Sequence, residues 1–273
     1  MGGRGAYYGR SFYVTPSGHI KKEKQKATLS AGEAKEEFKS IIKNGVSNYR
    51  KAAFEAGFIY NGNENDKRHS IEGVDFNFPE KMKKQESEDD SVKAIAGPDL
   101  TQGSCASAAL SFIMRRGGYD VTDFRGGQSR NVFSNGSVLA GITKLGDTKQ
   151  IFKGNQYAAA HQLLKQMEPS KQYLLVAGSH AAIVKKEKDY YYYLELQDRY
   201  GKNGWKPLGG SKRASDVDIV LYSRFGAKKS KYPRYSTLTS VDSLMKSDKF
   251  QHLTSFLNTK GMKQYKGDGG HVK

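Results

Sequence analysis

The sequence predicts an α+β fold in which helices precede a group of antiparallel strands. Three observations predict it. Ser30-Ala31-Gly32-Glu33 has the pattern of a capping box, and Ala34, Phe38, Ile41, Ile42, Tyr49, Ala52, Ala53 and Ala56 follow at mostly helical spacing. A second helical run starts at Cys105 and carries Ala108, Ala109, Phe112 and Ile113 on one side. From Tyr173 onward come short runs rich in aromatic and β-branched residues, separated by turn residues.

Taken in chain order, the segment from Met1 to about Ala27 is rich in Gly, Tyr and Lys without a clear period and reads as an arm. The capped helix follows, with Asn44-Gly45 as a candidate break. Between Asn61 and Asp90 the chain turns polar and ends in Glu86-Ser87-Glu88-Asp89-Asp90, which reads as a linker with a domain boundary near position 92. The Cys105 helix stops at Gly117-Gly118, where a left-handed residue is needed. Tyr157, Ala160, Leu163, Leu164 and Met167 mark another helix, stopped by Pro169. Strands are expected at Tyr173 to Ala177, His180 to Lys186, Tyr190 to Gln197 and Asp218 to Tyr222. From about Phe225 the chain is basic, with a short helix near Lys249 to Leu257. The expected division is 1–91 (basic arm and helical N-terminal region), 92–224 (the domain with the Cys105 helix and the strands) and 225–273 (a basic C-terminal extension).

Composition narrows the class. The chain has 273 residues, of which 37% are apolar, enough for one substantial core plus an appendage. A single cysteine excludes an internal disulfide and a Cys-rich zinc site, and points to a reducing compartment. No Walker loop and no His/Cys ligand set is present, so no metal or cofactor is expected. The start of the sequence lacks the apolar run of a secretory signal, and no stretch approaches the roughly 20 apolar residues that span a bilayer. The expected location is cytoplasmic or virion-associated, without a membrane.

Lys and Arg number 45 against 28 Asp and Glu, a net charge of +17. Such an excess attracts polyanions. The basic flanks, Lys21, Lys22, Lys24 and Lys26 on one side and Lys228, Lys229 and Lys231 on the other, are the candidate nucleic-acid contacts. Zinc-finger spacing and aromatic RNA-binding patterns are absent, so base-specific readout has no support. The competing reading of these lysines is a solvated basic surface.

Cys105 lies where a Gly-Ser turn runs into a helix. Unpaired N–H groups and the positive end of the helix dipole stabilise a thiolate there. His180 opens an apolar strand, and Glu195 lies within the next one, in Glu195-Leu196-Gln197. In chain order these are a nucleophile, a base and a group that orients the base. If the two strands form a hairpin, a two-residue loop at Glu187-Lys188 pairs His180 with Glu195, one at Lys188-Asp189 pairs it with Gln197, and a three-residue loop from Glu187 to Asp189 sets it opposite Leu196 and spoils the site. Gln102 is a candidate oxyanion donor together with the Cys105 N–H, and Gln197 a candidate for positioning the histidine. The competing readings are a small buried cysteine, a core histidine and a surface glutamate. Trp205 reads as a packing anchor.

These residues resemble the papain-fold toxin domains, which occur in bacterial polymorphic toxins and beside phage head-morphogenesis proteins. The resemblance rests on the Cys105 helix ending in Arg115-Arg116, on Gly118-Tyr119-Asp120-Val121-Thr122 after it, on the Gly-x-His strand start, and on an acidic residue two before Gln197. It spans about Gly97 to Ser223. It implies a papain-like cysteine hydrolase core, a Cys-bearing helix packed on an antiparallel sheet, acting as a thiol protease or deamidase on a peptide, isopeptide or glutamine amide of a protein substrate. Cys105 matches the nucleophile, His180 the base, and Glu195 stands where the family usually has Asp. The alternative is a non-catalytic virion or nucleoprotein component that binds polyanions through its flanks. An ADP-ribosyltransferase, suggested by Ser236-Thr237-Leu238-Thr239-Ser240, lacks the Glu-x-Glu pair that should follow.

Overall fold

The Ser30 Oγ accepts from the Glu33 N–H at 3.3 Å, and the Glu33 carboxylate accepts from the Ser30 N–H at 2.8 Å, so the expected capping box forms. Those bonds favour the ionised carboxylate and hold Glu33 below the usual carboxylate range. The computed structural model describes residues 12–14, 20–22, 29–62, 69–71, 80–96, 104–122, 132–198, 200–256 and 258–259. Among them the helices are α1 (Ala31–Glu55), α2 (Glu88–Ile95), α3 (Cys105–Arg116), α4 (Gly136–Thr143), α5 (Gln156–Leu164), α6 (Ala214–Ser223), α7 (Val241–Lys246) and α8 (Asp248–His252). The strands are β1 (Phe12–Val14), β2 (Ile20–Lys22), β3 (Val121–Thr122), β4 (Thr148–Asn155), β5 (Gln172–Ala177), β6 (His180–Glu187), β7 (Tyr190–Glu195), β8 (Gly204–Gly210), β9 (Lys229–Ser240) and β10 (Asn258–Thr259).

Six strands form one sheet in the order β4-β9-β5-β6-β7-β8, and every neighbouring pair is antiparallel. β1 pairs with β2, and β3 with β10. Because side chains alternate across a strand, the two sheet faces build two cores. Leu174, Ala181, Ile183, Leu194 and Leu196 join α1, α3, α4, α7 and α8 in the first. Tyr173, Leu175, Ala177, Ala182, Val184 and Tyr191 join α5, α6 and Phe225 in the second. Burial on both faces explains why the Tyr173 to Ala177 and Ala181 to Val184 runs are continuously apolar.

The domain division expected at 92 and 225 does not appear as separate cores. Phe38, Ile41, Ile42 and Val46 of α1 belong to the same core as Phe112 and Ile113 of α3. The expected basic extension supplies β9, an inner strand. The run from Asp218 to Tyr222, expected as a strand, lies in α6, where Val217 and Leu221 are buried and Ile219 and Tyr222 exposed. Its i, i+4 pair faces the sheet. β4 and β8 are strands that the sequence pattern did not announce. No helix of the described residues is long and apolar enough to cross a membrane.

Asn44-Gly45 does not break α1, which runs for 25 residues. The glycine is there for another reason. A Cβ on Gly45 would stand 2.1 Å from the Ser137 carbonyl oxygen in α4, and one on Gly141 would stand 2.5 Å from the Ile41 oxygen. The two helices cross on paired glycines. Gly45→Ala is therefore expected to lower stability by about 2 kcal/mol through overpacking, despite the better helix propensity of alanine. Gly32→Ala, with nothing within 4 Å of its Cβ, should be neutral or stabilising. Urea unfolding midpoints check both, and equal effects would contradict the helix-crossing explanation.

Candidate active site

Cys105 is the first residue of α3, directly after Ser104 at the N-cap. It is half-buried and packs at the margin of the first core. No acidic residue occupies the first turn of α3, so no charge of the helix's own first turn opposes a thiolate. Arg115 is itself buried. It pairs with Glu86, reaches Asp120 at 3.0 Å and donates to the Val121 carbonyl at 2.7 Å. The Arg-Arg-Gly-Gly-Tyr-Asp-Val segment thus ties the end of α3 to β3. Gln102, the candidate oxyanion donor, lies outside the described residues.

The β6–β7 hairpin has the register Val184↔Tyr193, Lys185↔Tyr192, Lys186↔Tyr191 and Glu187↔Tyr190. The loop is Lys188-Asp189, with Lys188 at φ 50°, the positive value that a two-residue hairpin turn demands. Of the three registers weighed from sequence, this is the one that brings position 197 level with His180, and it sets Glu195 level with Ala182. His180 and Glu195 share one face of adjacent strands. Both are clamped from the turn after α6. Arg224 Nη2 donates to Glu195 Oε1 at 2.6 Å, and Arg224 Nε lies 2.5 Å from Oε2 without the alignment of a hydrogen bond. The Gln197 N–H donates to Glu195 Oε1 at 2.8 Å. The His180 ring meets Phe225 edge-on, with centroids 5.0 Å apart. Ser179 N–H donates to the Phe225 carbonyl at 2.8 Å, and a Cβ on Gly178 (φ 60°) would stand 2.3 Å from that same oxygen.

Glu195 is 4% exposed, so Arg224 is what makes its charge tolerable in the sheet. Sequence reasoning missed Arg224 because the residues before it look like a strand. The helical pair Val217 and Leu221 was the available signal.

The position of α3 decides how Cys105 relates to this pair. α3 packs along β6. Arg115 near its C-terminus pairs with Glu86, and two residues on Glu88 accepts from Gln172 at 2.5 Å, on β5 opposite Lys185 of β6. The end of α3 therefore lies by Lys185. A helix of this length rises about 18 Å, and the strand from Lys185 back to His180 spans about 17 Å, so α3 is long enough to reach from one end of β6 to the other. The pleat, however, puts His180, Ala182 and Glu195 on the second-core face, while α3 covers the face of Ala181 and Ile183. This differs from the expected arrangement, in which the histidine and glutamate face Cys105 directly.

Lys228, Lys229 and Lys231 are exposed, the last two on β9. Lys21 and Lys22 lie on β2, and Lys24 and Lys26 lie outside the described residues. Among the described residues no group of three or more His, Cys, Asp and Glu side chains gathers as metal ligands would.

The Glu195–Arg224 pair yields a test. Arg224→Met should destabilise the fold by on the order of 2 kcal/mol, because it strands a buried carboxylate. Adding Glu195→Gln should restore part of that loss, and a double-mutant cycle by urea unfolding measures it. Additive single effects would show that the pair is not coupled.

No protein-family model matches the chain, and comparison with curated proteins and with solved structures finds no match.

Proposed function

We propose that the protein is a papain-like cysteine hydrolase in which Cys105 is the nucleophile and His180 the base. What supports this reading is Cys105 on the first turn of α3, a helix that packs along β6, the strand that His180 opens. Thiol and imidazole are the two groups that acyl transfer requires. His180 would take the thiol proton. Cys105 would then attack a carbonyl carbon to give a tetrahedral adduct held by N–H groups at the start of α3, with Gln102 as a further donor. The amine leaves with the proton from His180, and water hydrolyses the thioester. Peptide, isopeptide and glutamine side-chain amides all pass through these steps.

The reading requires one movement. The turn at Gly178-Ser179, held to the Phe225 carbonyl in this structure, must release so that the imidazole can pass from Phe225 to the α3 side. Glu195, fixed by Arg224 and the Gln197 N–H, would stay on the Phe225 side of the sheet and orient the imidazole only in its resting position. Gln197, level with His180, would limit how far the ring turns.

Alkylation by iodoacetamide across pH tests the pair without a known substrate. Cys105 is expected to react readily well below about pH 8, where an ordinary thiol is mostly protonated. His180→Ala should move that profile upward and slow labelling by about tenfold near neutral pH. Profiles that coincide for the two proteins, or a thiol that reacts only above about pH 8, would leave Cys105 a structural residue.

A further inference from the structure

We propose that the outer end of the β4–β9 pair, together with the turn that ends α1, is a platform for single-stranded nucleic acid, independent of the thiol site. The argument starts from a break in the sheet. β4 and β9 stay in step from Thr148↔Thr239 to Lys153↔Arg234, and then the register slips to Asn155↔Lys229. Residues 230–233 thus stand opposite Gly154 alone. A Cβ on Gly154 would lie 2.0 Å from the Ser230 carbonyl oxygen, so the bulge depends on that glycine. Bulges re-aim side chains, and this one turns Tyr232 outward until it is 59% exposed, with its N–H donating to Ser230 Oγ at 3.1 Å.

A second aromatic ring comes from α1. Gly57 (φ 76°) ends the helix, and the Phe58 N–H reaches back to the Ala53 carbonyl at 2.8 Å. Phe58 then meets Tyr232 with ring centroids 6.3 Å apart. Close by along α1, β4 and β9, Tyr49, Phe152 and Tyr235 meet edge to face, with centroids from 4.9 to 5.4 Å, and Tyr235 donates to the Asn48 carbonyl at 3.2 Å, which ties α1 to the β4–β9 pair. Near Phe58 in the chain, Phe54 and Ile59 are 81% and 90% exposed.

Charge complementarity names the occupant. Lys228, Lys229, Lys231 and Arg234 are exposed with no acid among residues 228–235. The Lys231 ammonium stands 5.0 Å over the Tyr232 ring. The nearby acid Glu55 already has Lys51 at 3.9 Å. Cations at strand spacing around exposed rings suit a phosphate backbone whose bases are free to stack. A duplex hides its base faces, and an acidic protein has no planar groups in series for the rings.

The test is fluorescence anisotropy with a labelled oligothymidylate, its duplex with oligodeoxyadenylate, and polyglutamate as competitor, at about 50 and 200 mM salt. The single strand should bind more tightly than the duplex and resist polyglutamate. Tyr232→Ala, at an exposed position that should leave folding intact, is expected to weaken single-strand binding about tenfold. Lys229→Gln, Lys231→Gln and Arg234→Gln together should reduce the salt slope by about 2, at about 0.7 per phosphate contact. Cys105→Ala should change neither, so failure of the hydrolase reading leaves this outcome untouched. No binding at the lower salt, equal affinity for duplex, displacement by polyglutamate at equal charge, or indifference to Tyr232→Ala would each overturn the proposal.

Discussion

The sheet is covered on both faces, and that constraint arranges everything else. A strand with cores on both sides has no solvent face on which to put polar side chains, so the middle of β5 and β6 is apolar at every position from Leu174 to Ala177 and from Ala181 to Val184. Groups that carry chemistry are pushed to the strand ends. His180 opens β6, Glu195 closes β7 and Gln197 follows it, all at one end of the sheet. α3 packs along β6 and covers the face of Ala181 and Ile183.

Double coverage also makes any buried charge expensive, and two arginines answer that cost. Arg224 holds Glu195 from the turn after α6, while Arg115 holds Glu86 and Asp120 from the end of α3. Each guanidinium joins segments far apart in sequence. The turn after α6 has two tasks at once, since Phe225, the neighbour of Arg224, is the ring against which His180 rests. The glutamate and the histidine are thereby placed by one short segment, although they come from different strands.

Much of this was legible in the residues. The capping box at Ser30, the helix from Cys105 and the strand pair after Gly178 all follow from local pattern, with the hairpin loop confined to residues 187–189. Other parts were not, for physical reasons. Lys188 adopts a positive φ without being glycine or asparagine, so nothing local chose among the three registers. Ala181 and Ile183 are as apolar as Ala182 and Val184, so the pattern could not say which face α3 covers, and hence on which side of the sheet His180 lies. Ile219 and Val220 favour strands by type, and only packing of Val217 and Leu221 on the sheet makes that segment a helix. β9 escaped notice because its outer half is basic and contains Pro233, while its inner half buries Ser236, Thr237 and Thr239 in place of an apolar run.

The place of β9 bears on the order in which the molecule is built. It lies between β4 and β5, yet it leaves the ribosome after every other strand of that sheet. Until residue 240 has been synthesised, β4 has no neighbour in the sheet and β5 has a bare inner edge. The pairing that joins them closes a loop from Thr148 to Thr239, a long-range contact of the kind that slows folding. A nascent chain that already contains Cys105, His180 and Glu195 would therefore still lack the strand that joins its sheet.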